Sequence, residues 1–250
     1  MKSLRQTGFT LVEIAIVLVV IGLLLGGILK GQQLINSARV RNLADQNTSI
    51  QAAYYGFIDR FRNLPGDMLA KDACANIGSD IDSAGCASNS STIGGDGNGR
   101  IDTIGEASAV WAHLSVAGFL NGVYKGTPTT VAAYKTGVAT GDIPPNAFQG
   151  PILLAHTAAY LNANSVVRLA YSFGGNIPVP ILRDLDQKLD DGAAGTGVMR
   201  SSPDAGGSDT FSGIVEYDSA AGGQCVGGTA GAETWNVDSA NQNCNGMFLY

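Results

Sequence analysis

The sequence predicts an α+β protein: a long N-terminal helix, membrane-spanning in its first half and amphipathic in its second, packed on a loop-rich head with a small sheet. Three observations carry this. Residues 9–29 form an apolar run, FTLVEIAIVLVVIGLLLGGIL, with one charged residue, Glu13. Apolar residues at helical spacing continue toward Leu64-Pro65-Gly66. Beyond that point lie most of the chain's 34 glycines, in a pattern of short elements joined by long turns.

The apolar run comes first. Its 21 residues, at about 1.5 Å rise each, give roughly 31 Å, enough to cross the hydrocarbon core of a bilayer. A secretory signal peptide would carry a shorter apolar core and a small-residue cleavage site, and no A-x-A pattern follows here. Lys2 and Arg5 precede the run and no acidic residue does, which places the N-terminus in the cytoplasm and the rest of the chain outside. Glu13 is the anomaly. A lone carboxylate inside such a helix costs several kcal/mol unless it is paired, so it reads as functional.

Gly8-Phe9-Thr10-Leu11-Val12-Glu13, after the short basic leader Met1–Gly8, closely resembles the class III signal of type IV pilins and of type II secretion pseudopilins. The resemblance covers about the first thirty residues. It implies cutting between Gly8 and Phe9 by a prepilin peptidase, N-methylation of Phe9, and a place for Glu13 as the fifth residue of the mature chain. It also implies a pilin-like fold, other pilin or pseudopilin subunits and an inner-membrane assembly platform as partners, and transfer from the inner membrane to an extracytoplasmic filament. The physics of Glu13 suits this. A neighbour's Glu13 can neutralise the amine exposed at Phe9 when the incoming helix is shifted by about one turn, and the need to pair a buried charge then fixes the register.

Past Leu29 the helix is expected to continue. Ile50, Ala53, Tyr54, Phe57, Ile58 and Phe61 follow i, i+3, i+4, i+7, i+8, i+11. Leu64-Pro65-Gly66 ends it. The expected organisation is a leader over 1–8, a membrane or filament-core helix over 9–30, its amphipathic continuation over 31–63, and an extracytoplasmic head over 64–250. Gly22, Gly26, Gly27 and Gly31 supply two G-x-x-x-G spacings, which allow close helix approach or simply soften the helix.

The head's roughly 187 residues are enough for one domain with a real core. The chain's net charge of −6 becomes −8 without Lys2 and Arg5, and no basic patch emerges, so nucleic-acid binding is not expected. The even set Cys74, Cys86, Cys225 and Cys244 argues for disulfides in an exported domain, with the sequence-local pairs Cys74–Cys86 and Cys225–Cys244 preferred among three pairings. Two histidines and no C-x-x-C make a zinc site a poor alternative.

The loop from Gly94 to Asp102 (GGDGNGRID) matches positions 3, 5, 6 and 8 of an EF-hand loop with Asp96, Asn98, Gly99 and Ile101. Gly94 replaces the first Asp, Gly105 replaces the bidentate Glu, and Glu106 comes one residue late. Two readings stay open: calcium held by Asp96, Asn98 and Asp102, with Asp67 or Glu106 as further donors, or a glycine-rich turn that needs no ion. Leu64-Pro65-Gly66-Asp67, the GDGNG loop, Glu106 and Trp111-Ala112-His113-Leu114 also resemble, less specifically, a group of exported pilin-like proteins with this motif order. Calcium-binding heads are common among pseudopilins, so the resemblance favours the ion.

A short helix is expected to end at Gly118, with Ala107, Val110, Trp111 and Leu114 on its apolar face and His113 pointing away from that face. A second helix through Ile181, Leu182, Leu185 and Leu189 ends near Asp190-Asp191-Gly192. Its acidic pair sits awkwardly against the helix dipole, which makes contact with Lys188, Arg200 or an ion plausible. Residues 166–173 and 212–217 alternate as strands, and 125–150 reads as irregular. There is no G-x-S-x-G, H-E-x-x-H, P-loop or dinucleotide fingerprint, so the chain is not expected to be an enzyme. Two functions are compatible with this: a filament subunit, or an extracytoplasmic ligand-binding protein that uses the helix only as an anchor.

Overall fold

The computed structural model describes residues 11–88, 92–205, 207–217, 219, 222–229 and 231–250. Helix α1 runs Leu11–Phe61. The chain divides into two compact units, the first ending at Arg39 and the second being Val40–Tyr250, so α1 contributes to both. Nearly every residue from 11 to 39 is exposed. A helix meets its own backbone hydrogen bonds, so a chain of this composition needs no partner strand to be stable in lipid.

In the second unit α1 changes character. Val40, Leu43, Ala44, Asn47, Ile50, Ala53, Tyr54 and Phe57 are buried at spacings of three and four. The stripe thus begins ten residues before the one read from the sequence, whose Ile50-to-Phe57 positions are buried and whose Ile58 and Phe61 are partly so. Polar contacts pin this face. The Tyr250 hydroxyl lies 2.8 Å from Asn47 Oδ1, and Gln46 Nε2 donates to the Pro145 carbonyl at 2.9 Å. Arg62 takes φ 56° and Gly66 φ 89°, which stops the helix at the Leu64-Pro65-Gly66 turn.

Short helices follow: α2 (Ala70–Asn76), a 3-10 turn (Ser79–Ile81) and α3 (Ser83–Ser88). The Cys74–Cys86 disulfide joins α2 to α3, across a stretch with little core of its own. Helix α4 (Ile104–Val116) packs against the sheet at its first strand. Gly118, at φ 81°, ends it as expected.

The sequence expectation of irregular chain over 125–150 is corrected by α5 (Val131–Thr140). The Thr130 side chain caps its start and Gly141, at φ 75°, caps its end. Within it Tyr134 is fully buried, accepting from Trp111 Nε1 at 2.9 Å and donating to the Ile152 carbonyl at 2.8 Å. Caps and one anchored tyrosine outweigh a composition poor in helix formers.

The main sheet is antiparallel in the order β1-β2-β6-β3, from β1 (Leu153–Thr157), β2 (Arg168–Ser172), β3 (Met199–Ser201) and β6 (Gly246–Leu249). The C-terminal strand is inserted between two earlier ones, pairing Tyr171 with Phe248 on one side and Met199 with Phe248 on the other. A separate hairpin is made by β4 (Val226–Thr229) and β5 (Ala232–Trp235). The second expected strand, over 212–217, is not one. Residues 211–214 form turns, and Tyr217 makes only an isolated bridge to Asp204. Helix α6 (Val179–Leu189) lies against β3 and β5. The buried Cys225–Cys244 pair ties the hairpin to the segment entering β6.

Candidate functional site

Two places carry the residues singled out in the sequence. The first is the exposed part of α1. It is long and apolar enough to cross a membrane, with none of its most apolar window buried. Leu11 is 91% and Leu23 75% exposed, a degree of apolar exposure that water does not tolerate along a whole helix. Glu13 lies on this helix between Val12 and Ile14. A Cβ added at Gly22, Gly26, Gly27 or Gly31 would meet nothing within 4 Å, so the chain itself leaves these glycine faces open. Gly8 and Phe9, the expected processing site, lie outside the described residues.

The second place is the loop from Ile93 to Thr103. A carboxylate oxygen from each of Asp67, Asp96 and Glu106 lies within 4.8 Å of the others. Asp67 and Glu106, held only as further candidates from sequence, are the buried organisers of the loop. Asp67 Oδ1 accepts from Asn98 N at 3.0 Å and Oδ2 from Gly99 N at 2.9 Å. Glu106 Oε1 accepts from Asp96 N at 3.3 Å, and Oε2 from Asp102 N and Thr103 N at 3.0 Å each. Asn98 offers its backbone N–H to Asp96 Oδ1 and its side-chain NH2 to Asp96 Oδ2 and Asp102 Oδ2. Every carboxylate oxygen of the trio therefore already accepts an N–H.

These bonds staple the turn with two buried carboxylates, Asp67 and Glu106. Close packing requires the glycines here: a Cβ at Gly95 would come within 2.6 Å of Asp67 Cα and 2.7 Å of Glu106 Oε1.

The sequence contained a signal for the role of Glu106. Thr103-Ile104-Gly105-Glu106 is a capping box: the Thr103 hydroxyl accepts from Glu106 N, and the Glu106 carboxylate accepts from Thr103 N. Comparison with the EF-hand made Glu106 look one residue late. As the third residue of α4 it is in register.

His113, expected to point away from the apolar face as a solvent-facing or capping residue, is fully buried, stacked 6.1 Å from the Phe57 ring. Nδ1 accepts from Gly66 N at 3.0 Å, which leaves the proton on Nε2, 3.3 Å from the Ile93 carbonyl. Burial lowers its pKa to about 4. The neutral ring thus pins the turn after α1 and the entry to the 93–103 loop onto α4. His156 Nδ1 likewise accepts from Ile101 N at 2.9 Å, closing the far side of that loop. Both disulfides are the sequence-local pairs.

The chain matches the family model of the prokaryotic N-terminal methylation motif over residues 3–29. No curated protein and no solved structure gives a significant match. The matched span takes in Gly8, Phe9 and Glu13 and opens into the exposed apolar part of α1. Residues 3–29 are thus a prepilin-type signal of the type IV pilin and pseudopilin kind.

Proposed function

We propose that this chain is a structural subunit of a type IV pilus or a type II secretion pseudopilus. It is cut after Gly8 by a prepilin peptidase, methylated at Phe9, and assembled through α1 with Glu13 paired to the Phe9 amine of a neighbour. The carrying observation is the methylation motif over residues 3–29 leading directly into a helix whose apolar surface is uncovered by the chain itself. As a precursor it spans the inner membrane once with its N-terminus in the cytoplasm. In the filament the same apolar surface is buried against neighbouring helices. The subunit role needs no catalytic group. The buried polar side chains of the 93–103 loop are engaged in holding that loop.

Intact-mass analysis of the membrane-extracted protein tests the proposal. Loss of Met1–Gly8 and a methylated Phe9 are expected. An intact N-terminus would leave only an anchored protein, with no free amine for Glu13 to meet.

A further inference from the structure

Asparagine is followed by glycine at three places, Asn98–Gly99, Asn121–Gly122 and Asn245–Gly246. This dipeptide is chemically vulnerable. The glycine nitrogen, with no side chain to shield it, can attack the asparagine Cγ and close a succinimide ring. Closure needs a backbone N–H that can lose its proton, an asparagine free to turn, and a carboxamide that nothing holds. The fold treats the three places differently.

Two of them are protected. Gly99 N donates to Asp67 Oδ2 at 2.9 Å, so the nucleophile is committed to a carboxylate whose charge also opposes its deprotonation. The Asn98 carboxamide nitrogen donates to Asp96 Oδ2 at 3.2 Å and to Asp102 Oδ2 at 3.5 Å. Asn245 is fully buried, and its carboxamide nitrogen donates to Ser172 Oγ and the Val215 carbonyl at 2.8 Å each. Gly246 opens β6 and pairs with Ser201, so turning the backbone there would break the sheet.

Asn121–Gly122 has neither protection. Phe119 N and Leu120 N both donate to the Leu114 carbonyl, closing the end of α4, and Tyr124 N donates to Ser115 Oγ at 3.4 Å. Between these anchors residues 121–123 form an exposed tip outside any helix or strand, where Val123 is 84% exposed. Among the described residues, neither the Asn121 carboxamide nor the Gly122 N–H has a hydrogen-bond partner. Gly122 takes φ 107°, so the residue that leaves the nitrogen unshielded is also the one that the turn favours.

We propose that Asn121 is a site of spontaneous deamidation, selected by the fold from the three Asn-Gly pairs. Gly122 N bonds to Asn121 Cγ, the bond from Cγ to the amide nitrogen breaks, and ammonia leaves carrying the proton that Gly122 N gave up. Water then opens the ring and returns a proton to the nitrogen. Opening at Cγ leaves an aspartate, and opening at the main-chain carbonyl leaves an isoaspartate. Either product adds one negative charge to the tip, and the second also lengthens the main chain by a methylene.

The test incubates the full chain in detergent, in mildly alkaline buffer made with heavy-oxygen water, and follows the three peptides by mass spectrometry. A parallel sample in guanidinium chloride supplies the unprotected rates. In the folded chain Asn121 should convert at close to its unfolded rate and take up one heavy oxygen. Asn98 should convert about 10–100-fold more slowly than when unfolded, the rate equivalent of breaking one charge-assisted hydrogen bond. Asn245 should keep its amide until the chain unfolds. Asn121→Gln, whose longer side chain closes such a ring poorly, should end the uptake in its peptide. Retention of the Asn121 amide in the folded chain would overturn the proposal. So would conversion of Asn98 or Asn245 as fast as Asn121 in the folded chain, or heavy-oxygen uptake that persists in Asn121→Gln.

Discussion

Glu106→Gln is the sharpest probe of how the head is held. Glu106 is 2% exposed and accepts three N–H groups, two at 3.0 Å and one at 3.3 Å. Hydrogen bonds to a charged acceptor contribute about 1.5–3 kcal/mol, against about 1 for a neutral one. A glutamine can keep its oxygen toward Asp102 N and Thr103 N, as capping boxes with Gln do. Its NH2 then faces the Asp96 N–H, so one bond is lost and two are weakened. The expected cost is about 3 kcal/mol, or about 6–12 °C in thermal midpoint for a domain of this size. Circular dichroism melts of the full chain in detergent, run with EDTA, would measure it with no ion contributing. A midpoint within about 1 °C of the unsubstituted chain would refute the reasoning, because it would mean that the three N–H groups find water as readily as they find the carboxylate.

Other expectations are independent of that one. Glu13→Leu should leave processing and membrane insertion intact but remove the subunit from the sheared filament fraction, scored by immunoblot of both fractions; normal incorporation would contradict the pairing role. Phe57→Ala removes a fully buried ring and should cost about 3–5 kcal/mol in urea unfolding. Mild reductant should open Cys74–Cys86, whose residues are partly exposed, well before the fully buried Cys225–Cys244, as read by alkylation and mass mapping. His113, held near pKa 4 by burial, favours folding fully above its unfolded value of about 6.5 and loses that contribution as pH falls toward 4. The stability difference between the unsubstituted chain and His113→Gln should therefore shrink by about 3 kcal/mol between pH 7 and 4. Asp186, raised to about 6 chiefly by burial, acts with the opposite sign, and taking the difference between the two proteins cancels it.

The features of the head that its sequence does not display are set by distant partners. The helix at Val131–Thr140 was invisible because its stability comes from caps and from Tyr134, whose two partners lie outside the helix, at Trp111 and Ile152. The alternation at 212–217 suggested a strand, but that segment has only the Asp204 bridge to pair with. His113 looked solvent-facing because its spacing from the apolar residues of α4 was judged against one helix face, whereas α4 is buried nearly all round, from Glu106 to Leu114. Two signals were in plain view. The capping box at Thr103–Glu106 is a local pattern, and Val40, Leu43, Ala44 and Asn47 extend the amphipathic stripe at the same spacing.

The N-terminal signal and the membrane-competent helix were determined by the sequence alone, because length, apolarity and a single misplaced charge act residue by residue, with no distant partner needed. The roles of Asp67, His113 and Asp186 were decided only by the tertiary structure. Each depends on a group 31 to 49 residues away: Asn98 for Asp67, Gly66 for His113 and Trp235 for Asp186. A buried polar side chain is defined by the partner it meets or lacks, and chain folding brings that partner near.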